Sequence, residues 1–230
     1  MKNQLKKIFF RIRKIKSRFV IFSAKLLDRL SILGFYQSVP DLGINKKDEL
    51  TFSRWAAIEE NLPDRGVPLS ALDLGSNSGF YSISLAKKGH CVTALDYSIV
   101  HYSFLYNAIN ILGLNNVFVG KMCVKPGNID GLPSYDCVLL LNVFHHWCRA
   151  YGKDEGLAML DKIYRKTNDV MFFETGQPDT DPWVKDALPE MGDNPSEWII
   201  EHFKSKGATD VREIYRRKTN VERSFILVKK

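Results

Sequence analysis

An acidic residue and two glycines stand at the ends of two neighbouring apolar runs of the sequence. An apolar run ends at Gly75, a helical pattern begins after Gly79, and a second apolar run, over 91–95, ends at Asp96. This order is typical of a strand, a tight turn, a helix and a second strand, which is one βαβ unit of a parallel sheet. An acid at the end of the second strand can accept hydrogen bonds from both hydroxyls of a ribose. The sequence therefore predicts a nucleoside pocket at this edge of the sheet.

The spacing within the turn indicates which nucleoside the pocket would hold. The dinucleotide fingerprint G-x-G-x-x-G needs its second glycine so that a pyrophosphate can approach the backbone. Here Gly75 and Gly79 are separated by Ser76, Asn77 and Ser78, so that an asparagine occupies the tight position. We therefore expect a ligand without a pyrophosphate.

The motif D-x-G-x-x-x-G, followed by an acid after the second strand, resembles the first two motifs of the class I S-adenosylmethionine-dependent methyltransferases. The resemblance implies an α/β fold with a Rossmann-like seven-strand, mostly parallel sheet, helices on both faces and an antiparallel edge. It also implies S-adenosyl-L-methionine as the cofactor, with its methionine part beside the first motif and its ribose on the acid. The residues that it assigns to the cofactor are Asp73, Gly75, Ser76, Asn77, Gly79 and Asp96. The alternative is a nucleotide-like fold that serves only as a scaffold.

A second group of chemically capable residues follows the apolar strand pattern D-C-V-L-L-L-N-V, which runs into F-H-H-W. Ligands of open α/β sheets bind at the carboxyl ends of strands, so Asn142, His145 and His146 are expected to face the site. Either histidine could deprotonate an acceptor hydroxyl, because imidazole titrates near physiological pH. A purely structural hydrogen bond is the alternative. A phosphate acceptor would instead need only cations such as Arg149 or Lys153 to hold it.

From about residue 35 to residue 175 the chain is similar to the methyltransferase domain of the bifunctional kinase and methyltransferase enzymes that cap bacterial O-antigen polysaccharides. Tyr36-Gln37, N-V-F-H-H-W and V-M-F-F-E-T-G carry this resemblance. In many class I methyltransferases a region before the first strand folds over the cofactor, which makes Tyr36, Gln37 and Arg54 candidates for a lid. Tyr97, directly after the ribose acid, could pack on the adenine. An ordinary surface turn, a plain helix and a core aromatic are the alternatives for these residues.

The length of 230 residues and the 45% hydrophobic content predict a single α/β domain with an appendage. We expect a basic helix over 1–33, a lid and linker helix over 34–68 and the methyltransferase domain over 69–230. Within that domain we expect helices over 98–112, 154–165 and 195–206, and later strands over 117–119, 136–143, 170–174, 210–215 and 224–228.

The first 33 residues carry almost all of the excess positive charge. They hold ten Lys or Arg and one acid, whereas the remaining chain has 23 basic and 25 acidic residues. Apolar residues recur there every three or four positions and form one stripe of a helix, which charges interrupt too often for it to span a bilayer. The stripe consists of Leu5, Ile8, Ile12, Ile15, Phe19, Phe22, Leu26 and Leu30.

This basic helix leaves three roles open: lying on an anionic membrane, packing on the domain with a solvated basic face, or binding nucleic-acid phosphates. From this helix and the resemblance together, we first expect methyl transfer to an oxygen of a glycan, a phosphoglycan or a lipid-linked substrate. An RNA methyltransferase and a non-catalytic membrane- or partner-binding protein of the same fold are the alternatives.

Four cysteines, Cys91, Cys123, Cys137 and Cys148, are scattered without any C-x-x-C pair. This spacing is typical of reduced core residues in a cytoplasmic protein, which here could lie against the inner face of the membrane. We expect neither a disulfide framework nor a metal site.

Overall fold

The computed structural model describes residues 2–29, 37–44, 49–177, 184, 186–217 and 223–230. Within these residues the chain forms seven α-helices and seven β-strands. The helices are α1 (Lys2–Arg29), α2 (Glu49–Asn61), α3 (Phe80–Lys87), α4 (Ile99–Leu112), α5 (Phe144–Tyr151), α6 (Lys153–Arg165) and α7 (Pro195–Ser205). The strands are β1 (Ser70–Leu74), β2 (Cys91–Asp96), β3 (Val117–Lys121), β4 (Tyr135–Leu141), β5 (Thr167–Glu174), β6 (Asp210–Arg217) and β7 (Arg223–Lys229). In this part of the chain no helix is both long and apolar enough to cross a membrane.

The strands form one sheet in the order β3-β2-β1-β4-β5-β7-β6. Neighbouring strands from β3 to β5 are parallel, whereas β7 is antiparallel to both β5 and β6. The predicted seven-strand, mostly parallel sheet is therefore confirmed. The antiparallel strand, however, lies one position inside the edge, because β6 forms the edge itself.

Both faces of the sheet are covered by helices, as predicted. Successive side chains of a strand point to opposite faces. In β4, Val138 and Leu140 pack in a core cluster with residues of α5, α6 and α7, while Cys137 and Leu139 pack in another with residues of α2 and α3. The continuous apolar run of β4 follows from this burial on both sides, which is typical of parallel strands.

Helix α5 is an element that the sequence did not indicate. The predicted strand over 136–143 ends at Leu141, and Asn142 follows with a positive φ of 59°. Helix α5 then begins at Phe144, so that both histidines lie in its first turn. The sequence reasoning had continued the strand to residue 143 and had treated F-H-H-W only as the residues that follow it.

Helix α1 packs on α4 with the face opposite to most of the apolar stripe that the sequence indicates. Its buried residues include Ser17, Ile21 and Ala24. Ile21 and Ala24 belong to a core cluster with Phe104 and Ala108 of α4. The apolar residues that face solvent instead are Ile12, Ile15, Phe19, Phe22 and Leu26, which we call the outer stripe. Ser17, Ile21 and Ala24 thus lie on the face that contacts the domain, and the outer stripe points away from it.

The four cysteines are free, and they differ in exposure. Cys137 and Cys148 are buried, as expected for core residues, but Cys91 and Cys123 are exposed. The expectation of four core cysteines is therefore wrong for two of them. Cys91 begins β2, and Cys123 lies just after β3, where the chain leaves the sheet.

Candidate active site

The turn after β1 is fixed by backbone hydrogen bonds to the end of β2. The amides of Gly75 and Ser76 both donate to the carbonyl of Leu95, at 2.8 and 3.1 Å. Asn77 has a φ of 51°, in the left-handed region that asparagine tolerates better than most residues. The asparagine in the tight position therefore suits the turn without a glycine.

The two glycines of the turn are also required by packing. A Cβ on Gly79, where φ is 84°, would lie 2.2 Å from Cδ1 of Leu105 on α4. A Cβ on Gly75, where φ is 80°, would lie 2.7 Å from Cγ2 of Val143. Gly79 thus serves the contact between the turn and α4, whereas Gly75 also borders the cavity described below.

Asp96 stands at the end of β2 and is held by three hydrogen bonds. The amides of Asn77 and Ser98 donate to its two carboxylate oxygens, each at 2.8 Å, and Nδ1 of His101 lies 3.3 Å from Oδ1. Burial raises the pKa of Asp96, but the hydrogen bonds outweigh burial and hold the pKa below its ordinary value. Because a carboxylate offers about four acceptor positions, Oδ2 can still accept a bond from a ligand.

His101 is a site residue that the sequence reasoning missed. Its Nδ1 contacts Asp96, and its Nε2 lies 3.3 Å from Nδ2 of Asn77, so the imidazole bridges the turn and the acid. The only hint in the sequence is the S-x-x-H spacing after β2, in which Ser98 caps α4 and accepts from the amide of His101. That spacing is too common to have indicated a site.

A cavity of about 550 Å³ opens beside Asp96, at the carboxyl ends of the parallel strands. Six of the predicted site residues line it: Gly75, Asn77, Asp96, Tyr97, Asn142 and His146. Its other lining residues are Leu74, Leu95, His101, Met122, Cys123, Val124, Leu141, Val143, Trp147, Arg149, Ala150 and Tyr151. The cavity therefore has an anionic end at β2 and an end at α5 that carries basic and imidazole groups. The walls between the two ends are mostly apolar.

Asp73 does not line the cavity; it lies buried beneath the turn. Its Oδ2 accepts from the hydroxyl of Ser82 on α3 at 2.5 Å. Burial raises the pKa of Asp73 to about 6, and the nearby charge of Asp96 acts in the same direction. This placement gives Asp73 a part in holding α3 to β1. Ser76 and Gly79 likewise lie outside the cavity lining.

The predicted lid residues fall into three different situations. Tyr36 lies outside the described residues. Gln37 is buried, and Oγ of Ser78 lies 3.3 Å from its Oε1, so the segment before the short helical turn at 40–42 touches the glycine turn. Arg54 is buried on α2, away from the cavity lining, with Nε 2.7 Å from Oε2 of Glu174 and Nη2 on Oε1.

Glu174 and Arg223 position Asn142, and the sequence reasoning had assigned neither of them to the site. Nδ2 of Asn142 donates to Oε1 of Glu174 at 2.8 Å, and Nη1 of Arg223 donates to Oδ1 of Asn142. The same Glu174 binds Arg54, so one carboxylate links α2 and β5 to the cavity wall. These contacts cross three separate stretches of the chain, which is why no local pattern indicates them.

The two histidines of α5 have different surroundings. His145 is buried outside the cavity, where its Nδ1 accepts from the amide of Gly176 at 3.2 Å and contacts Oγ1 of Thr175 at 3.1 Å. Burial lowers the pKa of His145 to about 3. His146 lines the cavity, and partial burial together with the charge of Arg149 lowers its pKa below the ordinary value. Of the pair, only His146 is placed to meet a ligand in the cavity.

The sheet order and the cavity at the carboxyl ends of β1, β2 and β4 define a Rossmann-like methyltransferase fold. No family model matches the chain. Among solved structures, the N-terminal domain of EvdMO1 with SAH bound superimposes with a TM-score of 0.64 at 16% identity, over 93% of this chain and 96% of that one. The predicted fold class is confirmed by this match.

The predicted resemblance to the O-antigen capping enzymes is confirmed as well. The chain is 31% identical over 113 residues to the O-antigen chain terminator bifunctional methyltransferase/kinase WbdD of Escherichia coli. That match covers 46% of this chain and 15% of WbdD. A structure of the bifunctional kinase-methyltransferase WbdD superimposes with a TM-score of 0.67 at 22% identity, over 84% of this chain and 42% of that one. The chain thus corresponds to less than half of the relative that it matches.

Proposed function

We propose that the protein is an S-adenosylmethionine-dependent methyltransferase that transfers a methyl group to an oxygen of a glycan or phosphoglycan, free or lipid-linked. The observation that carries the proposal is the ionised Asp96, held by the Asn77 and Ser98 amides at one end of a largely apolar cavity. Two relatives support it, since the EvdMO1 domain was solved with SAH bound and WbdD is a terminator of O-antigen chains.

The residues of the cavity fit the cofactor in charge and polarity. Asp96 would accept from the ribose hydroxyls, because Oδ2 keeps an acceptor position. Exposed Tyr97 and the apolar wall around Met122 offer surfaces for the adenine. At the other end, Gly75 and Asn142 border the space left for the methionine part.

The acceptor would enter beside α5. His146, with its lowered pKa, is neutral at pH 7 and can accept a proton from an acceptor hydroxyl. Arg149 lines the same end of the cavity and can hold a phosphate or another anionic group of the acceptor. Lys153, the other predicted cation, is not part of the lining.

The chemistry that the cofactor supplies is an activated methyl group on a sulfonium. The contribution of the protein is therefore mainly proximity and alignment of the acceptor oxygen, with proton removal as a smaller term. Asn142 is well suited to alignment, because Glu174 and Arg223 fix both ends of its amide.

Calorimetric titration with S-adenosylmethionine tests the cofactor, with NAD as the comparison ligand. We expect binding of the former alone, and its loss in Asp96→Asn, which keeps the shape of the side chain but removes the charge. Exposed Glu60→Gln is the matched control and should bind like the wild type. Unchanged affinity in a folded Asp96→Asn variant would refute the ribose assignment.

Transfer of a tritiated methyl group to purified O-antigen polysaccharide tests the acceptor class. Parallel samples treated with phosphatase separate a phosphate oxygen from a sugar hydroxyl. Arg149→Gln should raise the KM for the phosphorylated glycan and leave cofactor binding unchanged. Cofactor binding without transfer to either glycan would instead favour a different acceptor or a non-catalytic protein of this fold.

A further inference from the structure

The outer stripe of α1 is a large apolar surface that faces solvent. Ile15 is 65% exposed, Phe19 70% and Phe22 66%. Residues 12, 15, 19, 22 and 26 follow the three-and-four spacing of one helix face, and Ser17, Ile21 and Ala24 lie about half a turn away on the face that contacts α4. The packing of α1 on the domain therefore turns its most apolar face outward.

Basic side chains flank the outer stripe on both sides. Around a regular helix, Arg11 and Arg18 lie on one side of the stripe and Lys16 on the other, and all three are exposed. Large apolar side chains between bordering bases are the pattern of helices that lie in the interface of an anionic bilayer, with the apolar side chains among the acyl chains and the bases among the headgroups.

We propose that the outer stripe and its flanking bases hold the protein on the surface of an anionic membrane. The helix would lie parallel to the surface, with its opposite face still packed on α4. The inference is independent of methyl transfer, because it uses no residue of the cavity.

Charge argues against a second copy of the chain as the occupant of the stripe. The spacing of the outer stripe also fits the a and d positions of a coiled coil. In that arrangement Lys16 would take an e position, and Arg11 and Arg18 would take g positions. In a parallel self-paired coiled coil, the g position of one helix faces the e position of the other, so Arg11 would face Lys16. In an antiparallel pair, g positions face g positions, so arginines would again face arginines. These like charges would repel, whereas anionic headgroups would attract them.

Flotation of the full-length protein with lipid vesicles tests the proposal. We expect binding to vesicles of phosphatidylcholine mixed with phosphatidylglycerol, weaker binding at high salt, and little binding to phosphatidylcholine alone. Phe19→Ser should weaken the partition by about tenfold, and Arg18→Glu by at least about fivefold.

Two controls match these variants. Phe118→Ser removes a phenylalanine that is 65% exposed on β3, and Arg165→Glu reverses an exposed base at the end of α6. Both should bind vesicles like the wild type. Calorimetry with S-adenosylmethionine should give one affinity for all five proteins, which separates failure of this proposal from failure of the cofactor assignment.

Three results would overturn the proposal. The first is equal binding of the wild type and Phe19→Ser to anionic vesicles. The second is a dimer in analytical ultracentrifugation that Phe19→Ser dissociates, because a second copy would then occupy the stripe. The third is the absence of vesicle binding together with salt-dependent binding of RNA that Arg18→Glu weakens and Phe19→Ser does not.

Discussion

His146 and Asp73 show how burial gives two ionisable side chains of the same domain opposite behaviour. Burial acts against the charged form in both. It lowers the pKa of His146, which keeps the imidazole neutral and able to accept a proton, and it raises the pKa of Asp73, which keeps the carboxyl partly protonated. Each shift has a consequence that a pH series can measure.

For His146 we expect the acid limb of the kcat/KM profile to lie at a lower pH than the pKa of an ordinary imidazole. Activity should fall only as the pH drops through the lowered pKa, because the neutral imidazole is the active form. His146→Gln should lower kcat by about 10²-fold or more and remove this acid limb. His202→Gln on α7, outside the cavity, is the control and should keep the limb. An identical limb in His146→Gln would assign it to another group.

For Asp73 we expect a loss of stability as the pH rises from about 4 to 6. In this window the unfolded chain has already lost the proton, while burial retains it in the folded state, whose pKa is about 6. The shift corresponds to a change on the order of 2–3 kcal/mol in the free energy of unfolding. Urea unfolding across this range should show the change in the wild type and in Glu60→Gln, and a smaller one in Asp73→Asn. If the free energy of unfolding changed with pH in the same way in all three proteins, the role of Asp73 in this pH dependence would be contradicted.

At the level of single residues, local patterns placed Asp96 and His146 at the site because Asp96 ends β2 and His146 follows shortly after β4. They could not place Arg223, which reaches Asn142 from β7, or Glu174, whose partners come from α2 and from the end of β4. Arg54 shows the same difficulty. The sequence suggested a lid residue, but its guanidinium is bound to a carboxylate 120 positions further along the chain.

Between elements, the buried pair of Arg54 and Glu174 ties helix α2 to strand β5. Side-chain exposure is 6% for the arginine and 0% for the glutamate. A buried charge without its partner is costly, whereas removing both charges together costs much less. The pair therefore fixes α2 in position and, through Glu174, fixes Asn142 at the cavity wall.

We expect Arg54→Met to lower the free energy of unfolding by roughly 3–5 kcal/mol, because it leaves Glu174 buried without its main cation. The double variant Arg54→Met/Glu174→Met should recover part of this loss. Lys204→Met, which breaks the exposed pair with Glu201, is the control and should cost about 1 kcal/mol or less. Denaturation in urea measures all three. Additive losses in the double variant would show that the two side chains do not interact.

Helix α1 shows why an element can be predicted while its orientation is not. The period of its apolar residues indicated the helix, and residues 2–29 are helical. The same period left open whether the apolar stripe would lie on a membrane or pack on the domain. In the structure the face that packs on α4 carries Ser17, Ile21 and Ala24, and the outer stripe lies on the opposite face. No periodicity distinguishes these two faces.

Across the whole molecule, cofactor binding and folding should be coupled, because the cavity is built from the ends of β1, β2 and β4 and from two helices. At a concentration 100-fold above its Kd, S-adenosylmethionine should add about 2.7 kcal/mol to the free energy of unfolding. For a chain of this size, Tm should rise by roughly 5–10 °C.

Differential scanning calorimetry checks this rise in Tm, with NAD and Asp96→Asn as the two negative controls. A similar rise with NAD would show that the cavity accepts a pyrophosphate after all. A rise of equal size in Asp96→Asn would place the ribose elsewhere.

The position of β7 inside the sheet has a consequence for synthesis on the ribosome. Strand β6 pairs with β7 and stands apart from β5, although it precedes β7 in the chain. Until residues 223–229 leave the exit tunnel, β6 has no neighbouring strand with which to pair, and the outer edge of β5 stays unpaired. The parallel half of the sheet, from β3 to β5, can assemble earlier. We therefore infer that a nascent chain holds its first five strands with an unpaired edge, which is the stage most exposed to aggregation.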